Sequence, residues 1–367
     1  MKTSFVLLNT KICYGKRANN YPGSGRQVLI MKKLLQVTII IVFMSGVIMA
    51  DESFWSVYFT TPYSGHKNIS AGHPRTALIE LIGSAQEEVL GAFYDLTSHD
   101  VVSALIQAHK RGVQVKLVIE SDNTGEETIS KLVSCGIPVV GDQRSGLMHN
   151  KFIIIDKKLV WTGSYNLTHN GAFRNNNNAI VINSSDLADV FHSEFIEMFK
   201  YRIFGNRKEF IPFPVFSKKY YVKILDTNIN AYFSPEDDIE RIICKRLRKA
   251  KKSIHFMAFS FTSDAIGEEM IRAHKRGVTV SGIFEKRGSG SKYSEYVKMK
   301  LEGIPVIVDK NPYSMHHKVI IIDGCRVITG SYNYSKNASK RNDENILIVD
   351  NKNIADKYMS EFRVLYR

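Results

Sequence analysis

The chain has 367 residues, 44% of them hydrophobic and 23% charged, with a formal net charge of +14. That length supports two domains, or one large two-part domain with a substantial core. The balance of residue types excludes a disordered, collagenous or low-complexity chain, and four cysteines exclude a disulfide-stapled miniprotein.

From Met31, Lys32 and Lys33 precede a largely apolar stretch, Leu34 to Met49, which ends at Ala50 ahead of Asp51 and Glu52. A short basic start, an apolar run of this length and a small residue at its end form the pattern of a secretory signal peptide. The run is slightly short for a bilayer span of about 20 apolar residues, and an uncleaved anchor is the alternative. A secreted or periplasmic protein is therefore expected, with residues 1–30 as an extension. Without residues 1–50 the chain keeps 43 basic and 36 acidic side chains, or +7. That charge is uneven: residues 51–200 carry 12 basic and 17 acidic groups, residues 201–367 carry 31 and 19. Attraction to a polyanion, if the protein uses it, lives mainly on the second half. Cys13 falls in the extension, and Cys135, Cys244 and Cys325 show no metal-ligand spacing. Free buried thiols are expected, with one disulfide permitted but not required.

Further along, Val101–Lys110 has helical apolar spacing and stops at Gly112. Val115–Glu120 reads as a strand, Ile129–Cys135 as a helix and Ile137–Val140 as a strand. Phe152–Ile155 and Leu159–Thr162 flank Asp156, Lys157 and Lys158 as a strand-turn-strand, and Leu187–Phe199 as an amphipathic helix. The chain then repeats itself. Ala108–Val113 (AHKRGV) recurs as Ala273–Val278, and Gly136–Val139 (GIPV) as Gly303–Val306. The expected organisation is an extension with signal peptide over 1–50, a first repeat over 51–205, a linker over 206–228 and a second repeat over 229–367. The expected fold is α/β: two pseudo-twofold-related repeats, each a mixed β-sheet flanked by helices, packed into one bilobal unit. Such a chain is expected to be a monomer with an internal pseudo-dimer.

Inside the repeat sits a constellation of polar residues. The first copy has His149, Lys151, Asp156, Gly163, Ser164 and Asn166; the second has His316, Lys318, Asp323, Gly330, Ser331 and Asn333. Every pair differs by 167. Structural repetition alone would preserve glycines and apolar periodicity, not His, Lys, Ser and Asn together. Alternate strand residues share a face, so His149 and Lys151 point one way, as do His316 and Lys318. Facing copies would bring two imidazoles and two ammoniums together, a set that can perform nucleophilic and acid–base catalysis beside fixed positive charge and needs no cofactor or metal. A coupled pair can hold one imidazole neutral and one protonated near neutral pH.

The pattern H-x-K-x4-D-x6-G-S-x-N resembles the signature of the phospholipase D superfamily, and the resemblance covers nearly all of residues 55–367. It implies a phosphodiesterase with a phosphohistidine intermediate, with His149 as nucleophile, His316 as acid, Lys151 and Lys318 on the phosphate, and Asn166, Asn333, Ser164 and Ser331 in support. By the same resemblance Asp156 and Asp323 are more structural than chemical. Glu344 matches the family's downstream acid that orients an imidazole, whereas the corresponding residue of the first copy is Asn177. One histidine should therefore lack a carboxylate partner. The favoured substrate is a phosphatidyl lipid at a membrane surface, cut by water into phosphatidic acid and head group. A secreted or periplasmic endonuclease acting on nucleic acid is the alternative, followed by a phosphatidyltransferase and a non-catalytic binding protein. The basic run Lys245–Lys252 reads equally as a phosphate patch or a solvated helix face.

Overall fold

The computed structural model describes residues 53–62, 72–210 and 220–367; Cys13 and the expected signal segment Met31–Ala50 lie outside them. Residues 54–367 form one unit. Its first half contributes β1 (Trp55–Phe59), β2 (Glu88–Phe93), β3 (Gln114–Ile119), β4 (Val139–Gly141), β5 (Lys151–Ile155), β6 (Leu159–Gly163), β7 (Asn175–Asn176) and β8 (Asn178–Asn183). The second contributes β9 (Tyr221–Ile224), β10 (Thr227–Ser234), β11 (Ser253–Ala258), β12 (Thr279–Phe284), β13 (Val306–Val308), β14 (Ser314–Met315), β15 (Lys318–Ile322), β16 (Arg326–Gly330) and β17 (Glu344–Asp350).

The sheet orders are β1-β8-β6-β5-β2-β3-β4 and β13-β12-β11-β15-β16-β17-β10-β9. Read from opposite ends they are the same sheet, with β9 added at one edge. In each, three parallel strands (β2, β3, β4; β11, β12, β13) join an antiparallel set. The parallel pairs need crossover helices, supplied by His99–Lys110 and Asp264–Lys275. Both helices stop against glycines with positive φ, Gly112 (+93°) and Gly277 (+87°), where a side chain would be strained. Of the stretch 206–228 expected as a linker, Tyr221–Ile224 and the start of β10 pair as a hairpin within the second sheet. The alternation in Tyr221–Ala231 is short on each side and broken by Leu225, Asp226 and Thr227, and so did not announce those strands.

Every residue of β5 and β15 is buried, because each sheet is covered on both faces. Phe152, Ile154, Val319 and Ile321 enter a core between the sheets with Phe191 and Phe195 of helix Ser185–Phe199 and Tyr358 and Phe362 of helix Lys352–Leu365. Ile153, Ile155 and Trp161 pack beneath the outer helices of the first half, and Ile320, Ile322 and Ile328 beneath those of the second. At about 1.5–3 kcal/mol for each large apolar side chain buried, the shared central core welds the repeats into one body. The free cysteines are not uniformly buried as expected: Cys244 is buried, Cys135 half-buried and Cys325 exposed. Among the described residues, no helix is long and apolar enough to cross a membrane.

Candidate active site

Each motif histidine follows a short stretch of backbone paired to the other repeat. β7 pairs with β14 in parallel, and Met148 bridges Asp343 in the related position. The His149 amide donates to Asp343 O and the His316 amide to Asn176 O, both at 2.9 Å. These bonds carry each histidine to where the partner repeat begins β8 or β17.

The consequence is an exchange of partners. Glu344, in the second repeat, places Oε2 2.7 Å from Nδ1 of His149, in the first. Asn177, in the first repeat, places Oδ1 2.9 Å from Nδ1 of His316, in the second, and Ser164 O lies 3.1 Å from the same nitrogen. The histidine without a carboxylate is His316. Ser164 and Ser331 hold these partners: Ser331 Oγ donates to Glu344 Oε2 (2.8 Å) and Ser164 Oγ to Asn177 Oδ1 (3.0 Å). The remaining polar atoms are matched to the difference. Glu344 Oε1 accepts from Asn342 Nδ2 (3.1 Å), whereas Asn177 Nδ2 donates to Gly171 O (3.0 Å). Each glycine of the G-S-x-N pattern has φ +151°, and a Cβ there would lie 2.3 Å from Asn178 O or 2.2 Å from Asn345 O. That close approach lets the Ser164 and Ser331 amides bond to those carbonyls at 3.0 Å.

Lys151 and Lys318 each donate from Nζ to the carbonyl of the preceding motif histidine at 2.9 Å. Their ammoniums lie 5.1 Å from the ring centroid of Tyr94 and 4.7 Å from that of Phe259, and the same rings meet His149 and His316 edge-on. Burial pulls Lys151 down to about 7 against the opposing pull of Glu344 and Asp95. Burial and the charge of Lys151 push Lys318 down as well. Burial, then the two ammoniums, hold both imidazoles well below the ordinary histidine range, and burial lifts Glu344 to about 7. The electrostatic design is a buried cationic site whose groups are each uncomfortable alone and are relieved together by an anion.

Asn166 and Asn333 have buried Oδ1 atoms without a hydrogen-bond partner, so these amides are not consumed by the fold. Asp156 and Asp323, expected to be more structural than chemical, stand apart from the constellation. They lie at the far ends of β5 and β15, with φ of 50° and 54°, and accept backbone N–H bonds at the starts of β2 and β11. Burial opposes their charge, yet those N–H donors win and lower both carboxyls. The basic run 245–252 lies on and after outer helix Ile239–Arg248, where Lys245, Arg248 and Lys249 are exposed: a solvated face. Tyr165 and Tyr332 are buried packing residues.

Several contributors were not foreseen. Tyr94 and Phe259 form the aromatic walls just described. Glu120 and Glu285, closing β3 and β12, accept the Met148 and Met315 amides at 2.6 Å and so fix the backbone entering each histidine. Burial raises both, Glu120 to about 7. Their 165-residue spacing within the repeat was the available signal. Beside the site, Lys208 ion-pairs with Glu194, Glu236 (3.8 Å) and Asp343 (3.0 Å). Glu194, Glu197 and Glu236 also present oxygens within 4.8 Å of one another, the spacing of a cation site; the Lys208 ammonium already supplies positive charge there.

Comparison with known proteins agrees with this architecture. The model described as "Cardiolipin synthase, PLD-like domain" matches residues 78–199 and again 243–366. The chain belongs to this phospholipase D-like family. Phospholipase D of Rickettsia prowazekii is 32% identical over 136 residues, 37% of this chain and 66% of that relative. Mitochondrial cardiolipin hydrolase of Xenopus tropicalis is 32% identical over 121 residues, 33% of this chain and 58% of the relative. The match thus spans about two thirds or less of each relative's length. The crystal structure of phosphatidylserine synthase from Haemophilus influenzae Rd KW20 shares the fold, with TM-score 0.65 and 12% identity over 83% of this chain and 85% of that one.

Proposed function

We propose that the protein is a phospholipase D-type phosphodiesterase that hydrolyses phosphatidyl lipids at one composite site, without a metal. The observation that supports this most is the crossed pairing of His149 with Glu344 and of His316 with Asn177 around two buried lysines. The names of relatives such as phospholipase D and mitochondrial cardiolipin hydrolase support a lipid phosphodiester as the substrate.

Glu344 accepts the Nδ1 proton of His149, which leaves the Nε2 lone pair for phosphorus. In the first step the His149 Nε2–P bond forms and the bond to the head-group oxygen breaks. Protonated His316 gives its Nε2 proton to the departing oxygen. Neutral His316 then takes a proton from water, whose oxygen attacks phosphorus and breaks the P–N bond, restoring both imidazoles. Lys151 and Lys318 offset the charge on the non-bridging oxygens throughout. An anionic phosphodiester also favours the protonated state of His316 that burial disfavours. Export through the segment Met31–Ala50 completes the proposal and rests on the sequence pattern alone.

The test is head-group release from mixed phosphatidyl vesicles by the full chain in excess EDTA, with His149→Ala and His316→Ala alongside. Release that survives chelation and is lost in both variants is the expected outcome. No lipid cleavage with metal-free nicking of DNA would instead make the protein the endonuclease of the alternative reading.

A further inference from the structure

The two serines behind the crossed pairs perform one task under different constraints. Ser331 Oγ accepts the Asn345 amide (3.0 Å) and donates to a carboxylate, Glu344 Oε2 (2.8 Å), whose charge alone sets the direction of the hydroxyl proton. Ser164 Oγ accepts the Asn178 amide (3.1 Å) and donates to a neutral oxygen, Asn177 Oδ1 (3.0 Å). No charge sets that direction. A second donor does: Asn178 Nδ2 lies 3.3 Å from Ser164 Oγ. Both lone pairs of the hydroxyl are then occupied, and its proton is left for Asn177.

Asn178 lies fully buried on β8, with every position of its amide engaged. Its other Nδ2 proton goes to Nδ1 of His317 (2.9 Å), and Oδ1 accepts from Thr329 Oγ1 (2.8 Å) and Tyr358 OH (3.3 Å). Those two hydroxyls could serve either end of the amide, because a hydroxyl both donates and accepts. His317 fixes the choice. This buried imidazole, between His316 and Lys318 in sequence, points to the opposite face of the sheet from both. Its Nε2 faces Glu361 Oε1 at 3.5 Å, and a carboxylate there keeps the ring proton on Nε2 and the lone pair on Nδ1. In the first repeat the matching residues are Asn150 and Asn345, and the Asn345 amide points the other way. Its Nδ2 donates to Thr162 Oγ1 (2.7 Å), and its Oδ1 has no hydrogen-bond partner.

We propose that His317 is a positioning residue for the general acid His316, acting through Asn178, Ser164 and Asn177. The proposal rests on the phosphodiesterase reading with His316 as acid. Glu361 sets the His317 tautomer, His317 sets the Asn178 amide, and Asn178 turns the Ser164 proton to Asn177 Oδ1. That oxygen and the Ser164 carbonyl then remain the two acceptors for His316 Nδ1. With a proton held on Nδ1, Nε2 is the atom that gives its proton to the departing oxygen and afterwards takes one from water. Were the Ser164 proton free to turn away, the Asn177 amide could present its NH2 to His316. The lone pair would then sit on Nδ1, and Nε2 could not act as base. The network replaces, at this corner, the direction that the Glu344 charge supplies at the other.

The experiment uses the full chain and two soluble phosphodiesters, one with a nitrophenol and one with an alkyl alcohol as leaving group. Only the alcohol needs a proton as it departs, and kcat/KM reports the steps up to that departure. His317→Leu should lose about 10-fold in kcat/KM on the alkyl diester and change little on the nitrophenyl one. His317→Asn restores an acceptor for Asn178, and asparagine already stands at the matching position, Asn150; it should recover most of the loss. Equal losses on the two substrates, or no recovery by His317→Asn, overturn the proposal. A wild-type chain that cleaves neither diester defeats the phosphodiesterase reading instead, and nitrogen NMR of His316 then decides. The neutral ring should carry its proton on Nδ1 in the wild type and His317→Asn, with an Nε2-protonated share appearing in His317→Leu. An Nδ1 proton in all three overturns the proposal.

Discussion

The Oδ1 atom of Asn177 lies 2.9 Å from Nδ1 of His316, the position at which Glu344 meets His149 with a carboxylate at 2.7 Å. Two imidazoles built by the same repeated motif thereby receive different chemistry. The carboxylate can stabilise a positive charge developing on His149 as it attacks, while the neutral amide leaves protonated His316 a stronger acid.

Asn177→Asp should raise the His316 pKa and move the alkaline limb of the kcat profile up by about one unit. The sign follows because His316 must be protonated to release the head group, and a neighbouring carboxylate holds that proton to higher pH. The variant should also be slower at low pH, since its imidazolium is a weaker acid. A pH–rate series on a soluble phosphodiester measures both.

Glu344→Gln keeps one acceptor oxygen for His149 and Ser331, replaces the oxygen that accepts from Asn342 with an NH2, and removes the charge behind His149. A loss of about 10²–10⁴ in kcat with little change in circular dichroism is expected. Asn177→Ala removes a neutral acceptor from His316 and the bonds to Ser164 and Gly171 but no charge, and should cost less in kcat.

Lys151 sits at about 7 in the folded protein against an ordinary 10.5. Between those values the unfolded chain binds more protons than the folded one, so stability should rise with pH through this window, by at most about 1.4 kcal/mol per unit for this group. Urea melts at pH 7 and 9 should show the rise for the wild type and a smaller one for Lys151→Met. The free enzyme also loses this charge above about pH 7, so kcat/KM should decline there before kcat does.

Lys208 is held charged against burial by Asp343, Glu194 and Glu236. Lys208→Met leaves these carboxylates facing one another and should destabilise the protein by about 3–5 kcal/mol. Because Asp343 O receives the His149 amide, activity should fall even where the variant remains folded; thermal melts and kcat together separate the two effects.

Much of this was legible in the chain itself. The 167-residue spacing of His149 and His316 announced two copies, and the period of Val101–Lys110 and Leu187–Phe199 announced the helices within about two residues. The motif also named the groups that converge. Spacing could not say that Glu344 would serve the histidine of the other repeat, because that depends on the β7–β14 pairing of two residues each. Nor could it show Tyr94 and Phe259, whose types differ between copies, or the anchoring of Asp156 to residues 86–88, a contact made almost seventy positions away.

The central claim is that His149 is the nucleophile of one site shared by both repeats. Acid quenching of the His316→Ala variant with a phosphodiester bearing a good leaving group, followed by peptide mapping, tests it most directly. Loss of the acid–base group should slow hydrolysis of the intermediate, so the label should accumulate on His149 and on no other residue. Label on His316 of the His149→Ala variant, or turnover by either variant without any labelled enzyme, would contradict it.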